Sequence, residues 1–128
     1  MRALLDTHAL LWWFADDPSL SPAARRCIAD TKNTLIVSAA SAWEIATKVR
    51  IGRLPAAAAL IADFEGWLRH EGFEPLGISL DHAIRAGQLP GPHRDPFDRM
   101  LIAQAQSENI PLISNEALFD QYGIRRIW

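Results

Sequence analysis

Strands alternating with helices along the chain predict an α/β fold: one domain, built on a central parallel sheet of four to five short strands with helices on both faces. Three observations predict it. The strand-like runs are short, rich in branched apolar residues and free of polar alternation, as strands buried on both faces are. Each is followed by a helical pattern that opens on a capping residue. The length of 128 residues suits one domain, and no repeat or long linker divides it.

The elements follow in order. "RALLD" (2–6) is the first strand, and residues 8–15 form the helix behind it. Ser21-Pro22 sets a cap and a proline at the first helical position, so a helix is expected over 21–32. "TLIVS" (34–38) is the second strand. Ser41 and Glu44 make a capping-box pair for a helix over 41–51 that stops at Gly52. Residues 56–69 place Leu60, Ile61, Phe64, Trp67 and Leu68 on one helical face. "FEPLGI" (73–78) is the weakest strand signal, and a helix follows over 79–87. The Gly/Pro-rich stretch "AGQLPGPHRDP" (86–96) is a loop leading into a helix over 96–108, with Asp95 as cap and Pro96 at the first position. "PLIS" (111–114), a short helix near 116–121 and a last strand at "RRIW" (125–128) complete the set. Trp12, Trp13 and Phe14 are consecutive, so one helix cannot turn all three to one side. They must be covered from two sides, or one is left for a partner or dimer mate.

Composition excludes several classes. With 49% apolar residues and five Trp, a core forms without disulfides or structural metal. Cys27 is the single cysteine and has no internal partner, so nothing calls for an oxidising compartment. The run after Met1-Arg2 meets a charge too early for a signal peptide, and no stretch approaches a membrane span; a soluble cytoplasmic protein is expected. A net charge of −2 means that any nucleic-acid binding is local rather than spread over the surface.

The acids carry the chemistry. Asp6 ends the first strand, Glu44 lies in the helix after the second, Asp98 opens the helix over 96–108, and Glu116 follows the "PLIS" strand. All fall at carboxyl ends of strands or at helix starts, the edge where open α/β sheets bind ligands. Each alone has a structural explanation: Asp6, Asp95 and Glu116 as helix-start residues, Asp98 as a third-position partner, Glu44 as partner of Ser41 or Lys48. Together they repel one another unless a cation sits among them. Carboxylates without a Cys or His cluster point to Mg²⁺ or Mn²⁺. His8, His70, His82 and His93 show no ligand spacing, which argues against zinc. Held by three or four acids, such ions activate a water and stabilise a phosphodiester under attack. Thr7, Ser38, Ser41 and Ser114 lie on the same edge as hydroxyls able to orient metal-bound water, and Lys48, Arg94 and Arg99 are candidate phosphate contacts.

Four stretches, "LLDTHALLWW", "SAASAWEIATKVRIGRL", "DPFDRMLIAQA" and "PLISNEALFDQYGIRRIW", then bring a family into view. In this order, over nearly the whole chain, the sequence resembles PIN-domain ribonucleases, and in particular the toxins of VapBC-type toxin–antitoxin modules. The resemblance implies that Asp6, Glu44 and Asp98 match the family's first three metal-binding acids. It places Glu116 at a fourth acid that is often Asp, and Asp95 as the cap and an outer-shell helper. The longer Glu116 side chain displaces its carboxylate by about 1.5 Å. It further implies RNA cleavage with Mg²⁺ or Mn²⁺, a homodimer, and a cognate antitoxin as partner. Two alternatives stay open: a catalytically idle PIN-like module that only binds, and another Mg²⁺ phosphohydrolase. A haloacid-dehalogenase-like enzyme would need a second Asp two residues after Asp6, where His8 stands, and the Gly-Lys-Ser/Thr signature of a P-loop is missing.

Overall fold

The computed structural model describes all 128 residues. Five strands, β1 (Arg2–Leu5), β2 (Thr34–Ser38), β3 (Glu74–Leu76), β4 (Leu112–Ile113) and β5 (Arg126–Ile127), form one sheet in the order β3-β2-β1-β4-β5. Every pairing is parallel. The helices are α1 (Thr7–Phe14), α2 (Pro22–Ala29), α3 (Ala39–Arg50), α4 (Ala58–Ala62), α5 (Phe64–Glu71), α6 (Leu80–Gln88) and α7 (Pro96–Glu108), with 3₁₀ turns at Pro55–Ala57 and Ala117–Tyr122.

Successive strand residues face opposite sides of the sheet, and the two sides have separate cores. Ala3, Leu5, Leu35, Val37 and Ile113 join Leu10 of α1, Ile28 of α2, Ile45 of α3 and Leu68 of α5. Leu4, Ile36 and Leu112 point the other way, onto Leu101, Ile102 and Ala105 of α7 and onto Phe119. Leu101 and Ile102 are fully buried, each contributing roughly 2 kcal/mol through removal from water. The three consecutive aromatics are covered from several sides. Trp12 lies 5.7 Å from Trp128, Phe14 meets Trp67 edge-on at 5.7 Å, and Trp13 Nε1 donates to Glu71 at 2.6 Å. No helix is long and apolar enough to cross a membrane.

Two expectations need correction. The helix after β2 begins at Ala39, not Ser41: Ser38 is its cap, accepting from the Ala40 N–H at 2.9 Å. The Ser41–Glu44 box is therefore absent, and Glu44 lies one turn further into the helix. The segment expected as one helix over 56–69 is broken at Asp63, whose non-helical backbone (φ −145°, ψ 62°) ends α4 and whose side chain caps α5 by accepting from Gly66 N–H at 3.2 Å. An Asp free to hydrogen-bond local amides competes with helix continuation, which outweighs the apolar periodicity running across it.

Candidate active site

Register places the site. Leu4 pairs with Ile36 and with Leu112, and Leu5 with Ile113. Continued past Leu5, the same register sets Asp6, Ser38 and Ser114 in one row at the carboxyl edge. The chain runs from β1 outward through β2 and β3, then returns to build β4 and β5 on the other side. The order thus reverses beside β1, where a crevice opens in such sheets, and Asp6 stands at its floor.

Asp6 is buried and caps α1, its Oδ1 accepting from Ala9 N–H at 2.7 Å. Burial pushes its carboxyl above the usual range; hydrogen bonds from Ser114 and Ala9 and the nearby His8 oppose that, while Glu44 adds to it. Glu44 is also buried. Its Oε2 takes the Lys48 ammonium at 2.5 Å, while its Oε1 is buried without a hydrogen-bond partner. Asp98, in the first turn of α7, is pushed up to about 7, by burial first and then by the charges of Asp95, Glu44, Asp6 and Glu116. These four acids therefore act on Asp98 electrostatically, although they come from four segments of the chain. Asp6, Asp98 and Glu116 line one cleft of about 260 Å³ together with Asn115. Glu116 is exposed at its rim and caps the following turn through a long contact to Leu118 N–H, 3.4 Å.

The acids converge without closing. No three acid, histidine or cysteine side chains stand near enough to enclose an ion, as mutual repulsion favours. The hydroxyls hold the scaffold: Thr7 Oγ1 donates to Ser41 Oγ at 3.0 Å, tying α1 to α3, and Ser114 Oγ accepts from Glu116 N–H at 3.0 Å. Asp95 accepts from the N–H groups of Phe97 and Asp98 at 2.8 and 3.1 Å, so it builds the start of α7.

Arg99, expected as a phosphate contact, also has a structural task. Its guanidinium donates to three carbonyls, Ala86 of α6 (3.2 Å) and His93 (2.8 Å) and Leu89 of the loop that follows. Three of its five N–H donors are thereby engaged within the fold. Lys48 is engaged with Glu44, whereas Arg94 is exposed and without an ion pair. Sequence reasoning missed His93, a buried histidine whose Nε2 lies 3.2 Å from Asp98 Oδ2. Metal-ligand spacing gave no signal for it; a histidine in the loop directly before an acidic helix start was the only clue.

The donor set suits a hard divalent cation. The carboxylates of the cleft offer oxygen donors, one buried Glu44 oxygen has no partner, and burial, joined by neighbouring carboxylates, holds Asp6 and Asp98 above the usual range. These are conditions that Mg²⁺ or Mn²⁺ would relieve.

Comparison with known proteins agrees with this geometry. The family model for the PIN domain matches residues 3–124. Ribonuclease VapC22 of Mycobacterium tuberculosis is 31% identical over 116 residues, 88% of this chain and 85% of that protein. Ribonuclease VapC16 of the same organism is 41% identical over 62 residues, a match spanning 48% of this chain and only 43% of that protein. Among solved structures, VapBC2 from Rickettsia felis, bound to a DNA fragment from its promoter, superimposes with a TM-score of 0.71 at 16% identity, covering 98% of this chain and 97% of that one. M. tuberculosis VapC20, described as a sarcin-ricin loop cleaving toxin, gives 0.70 at 15% identity and 95% coverage of both chains. These two likenesses establish the fold. With the family model spanning nearly its whole length and a VapC ribonuclease similar over most of it, the chain belongs to the PIN domain family and stands among its VapC ribonucleases.

Proposed function

We propose that this protein is a Mg²⁺- or Mn²⁺-dependent endoribonuclease, the toxin of a type II toxin–antitoxin pair, acting in the cytoplasm. The observation that carries the reading is the gathering of Asp6, Glu44, Asp98 and Glu116 at one sheet edge, where burial and then the neighbouring acids raise Asp98 to about 7. Asp6, Glu44 and Asp98 would hold the cation, and Glu116, at the rim, would reach it directly or through water. When bound, the ion lowers the pKa of a water and neutralises charge on the phosphodiester under attack. The chain's own part is positional. Ser114 and the α1 amides fix Asp6, the Thr7–Ser41 hydrogen bond fixes α1 against α3, and the Asp95 cap fixes the turn carrying Asp98. Arg94, exposed three residues before Phe97, is the cation placed to meet RNA phosphates.

The test is cleavage of RNA by the purified protein with Mg²⁺ or Mn²⁺, against Asp6→Asn and Asp98→Asn. Cleavage lost in both variants supports the reading; a wild type that cuts no better than either variant refutes it. One observation favours a second reading, binding without catalysis: Lys48 already neutralises Glu44. Calorimetry separates the two, since an idle module would take up neither metal.

Two partners belong to the same proposal. An apolar groove of about 410 Å³, lined by Leu11, Phe14 and Leu54, shares His8 and Trp12 with the acid cleft. It would seat an antitoxin segment reaching toward the acids. A homodimer is expected through the side where Trp43, 61% exposed, packs edge-on to Phe97 at 4.9 Å beside Ile78 and Met100. Light scattering of wild type and Trp43→Glu checks it: a dimer that falls to monomer is expected, and a monomeric wild type removes this part.

A further inference from the structure

His93 is held from three directions. Its backbone N–H donates to Tyr122 Oη at 2.8 Å, and its carbonyl accepts from Arg99 Nη1 at 2.8 Å. Its ring stacks on Phe119, with centroids 5.4 Å apart and planes inclined by 24°. Gly91, with φ +103°, lets the loop approach Tyr122 so closely that a Cβ there would stand 2.7 Å from Oη. The imidazole is only 9% exposed. Despite this fixation, Nε2 is buried with no hydrogen-bond partner. It stops 3.2 Å from Asp98 Oδ2, at ion-pair distance but off the hydrogen-bonding direction. A buried ring nitrogen left unpaired is costly, and Asp98, whose side chain is 28% exposed, is the freer of the two to turn.

We propose that His93 is a positioning residue for the metal-binding acid Asp98: its Nε2–H, fixed by the loop and by Phe119, takes up the carboxylate when that group turns toward the cleft. One oxygen is then occupied by the imidazole and the other faces Asp6 and Glu116. The same contact fixes the tautomer. A neutral ring with its proton on Nδ1 would turn a lone pair on the carboxylate and repel it. Metal sites commonly rest on such outer contacts, whose loss weakens affinity about 10–100-fold. The inference rests on the metal-dependent reading given above.

Two measurements test it. In the metal-free protein at pH 8, imidazole ¹⁵N shifts report which nitrogen carries the proton; Nε2–H is expected for His93, and an Nδ1–H tautomer overturns the proposal. Calorimetric titration with Mn²⁺ then compares His93→Phe, which keeps a ring on Phe119 but no donor, with His93→Gln, which keeps a donor. The expected results are about tenfold weaker binding in the first, recovered at least in part in the second. Should His93→Phe fail to fold, Tyr122→Phe removes the hydroxyl that anchors the His93 amide, and a severalfold loss of Mn²⁺ affinity is expected there on the same grounds. Wild-type affinity in the folded variants overturns the role of His93 while leaving the nuclease reading intact. A wild type that takes up no Mn²⁺ overturns both.

Discussion

Replacing Asp98 by Asn should make the metal-free protein more stable, by an amount that grows as pH rises from about 4 to about 7. Asp98 is held at about 7 against an ordinary value of 3.8, by burial and by four neighbouring acids. Its folded-state pKa is raised, so its contribution is fully present below about pH 4 and is lost as pH rises through about 7. Some three pH units correspond to about 4 kcal/mol for an unscreened group. With more than a quarter of the side chain open to solvent, screening reduces that to about 2 kcal/mol. Asn keeps the shape and discards the charge. In a chain of this length the gain at pH 8 is a rise in Tm of roughly 6 °C, falling to about a third of that at pH 5 and vanishing only below about pH 4, where the unfolded chain carries the proton as well. Thermal melts of both proteins in chelator at pH 5 and pH 8 measure it. Added Mg²⁺ or Mn²⁺ should then stabilise the wild type, by binding the native state alone, and leave the variant where it was. An Asn variant less stable than wild type at pH 8, or a gain of equal size at both pH values, would refute the electrostatic account of the cluster.

Metal affinity should fall about tenfold between pH 8 and pH 6 in calorimetric titrations, because a group titrating near 7 goes from mostly ionised to mostly protonated over that span; a constant affinity would exclude Asp98 as a ligand. Arg99→Lys should cost about 2–3 kcal/mol in urea unfolding, since an ammonium cannot serve the three carbonyls that the guanidinium holds. Its RNA binding should keep the wild-type salt dependence, whereas Arg94→Gln should reduce that slope by about one. Ser38→Ala should cost about 1 kcal/mol by removing the cap of α3, with a wild-type melting curve as the contrary result.

The parallel sheet was legible because its strands are short apolar runs between capped helices, and every strand expected from "RALLD" to "RRIW" is present within a residue or two of its bounds. What was less legible is instructive. Ser38 and Ser41 are both good caps. Ser38 does the capping because β2 ends there, with its Oγ free to turn onto the Ala40 amide, while Ser41 is taken by Thr7 across the crevice. Local sequence holds no record of that long-range hydroxyl pair. The same limit explains Asp63, where one side chain's preference for local amides divides an otherwise continuous apolar face.

Convergence of the acids follows from topology rather than from any motif. Once β1 is central and the order reverses beside it, whatever follows β1, β2 and β4 must meet at one edge, and Asp6, the α3 acid and the segment from Ser114 to Glu116 are what follow them. Asp98 does not belong to that rule, since α7 precedes β4 rather than following a strand end. It reaches the edge because α7 crosses the opposite face with Leu101, Ile102 and Ala105 packed under Leu4 and Leu112, which carries its first turn to the mouth of the crevice. The loop before it is fastened at His93, by Arg99 on the carbonyl side and Tyr122 on the amide side. A helix packed for the core and a loop fastened by Arg99 and Tyr122 thus bring a fourth segment's charge beside three others. Burial first, and then that proximity, raises Asp98, which is why a single substitution there can strengthen the fold while removing the property for which the acids are gathered.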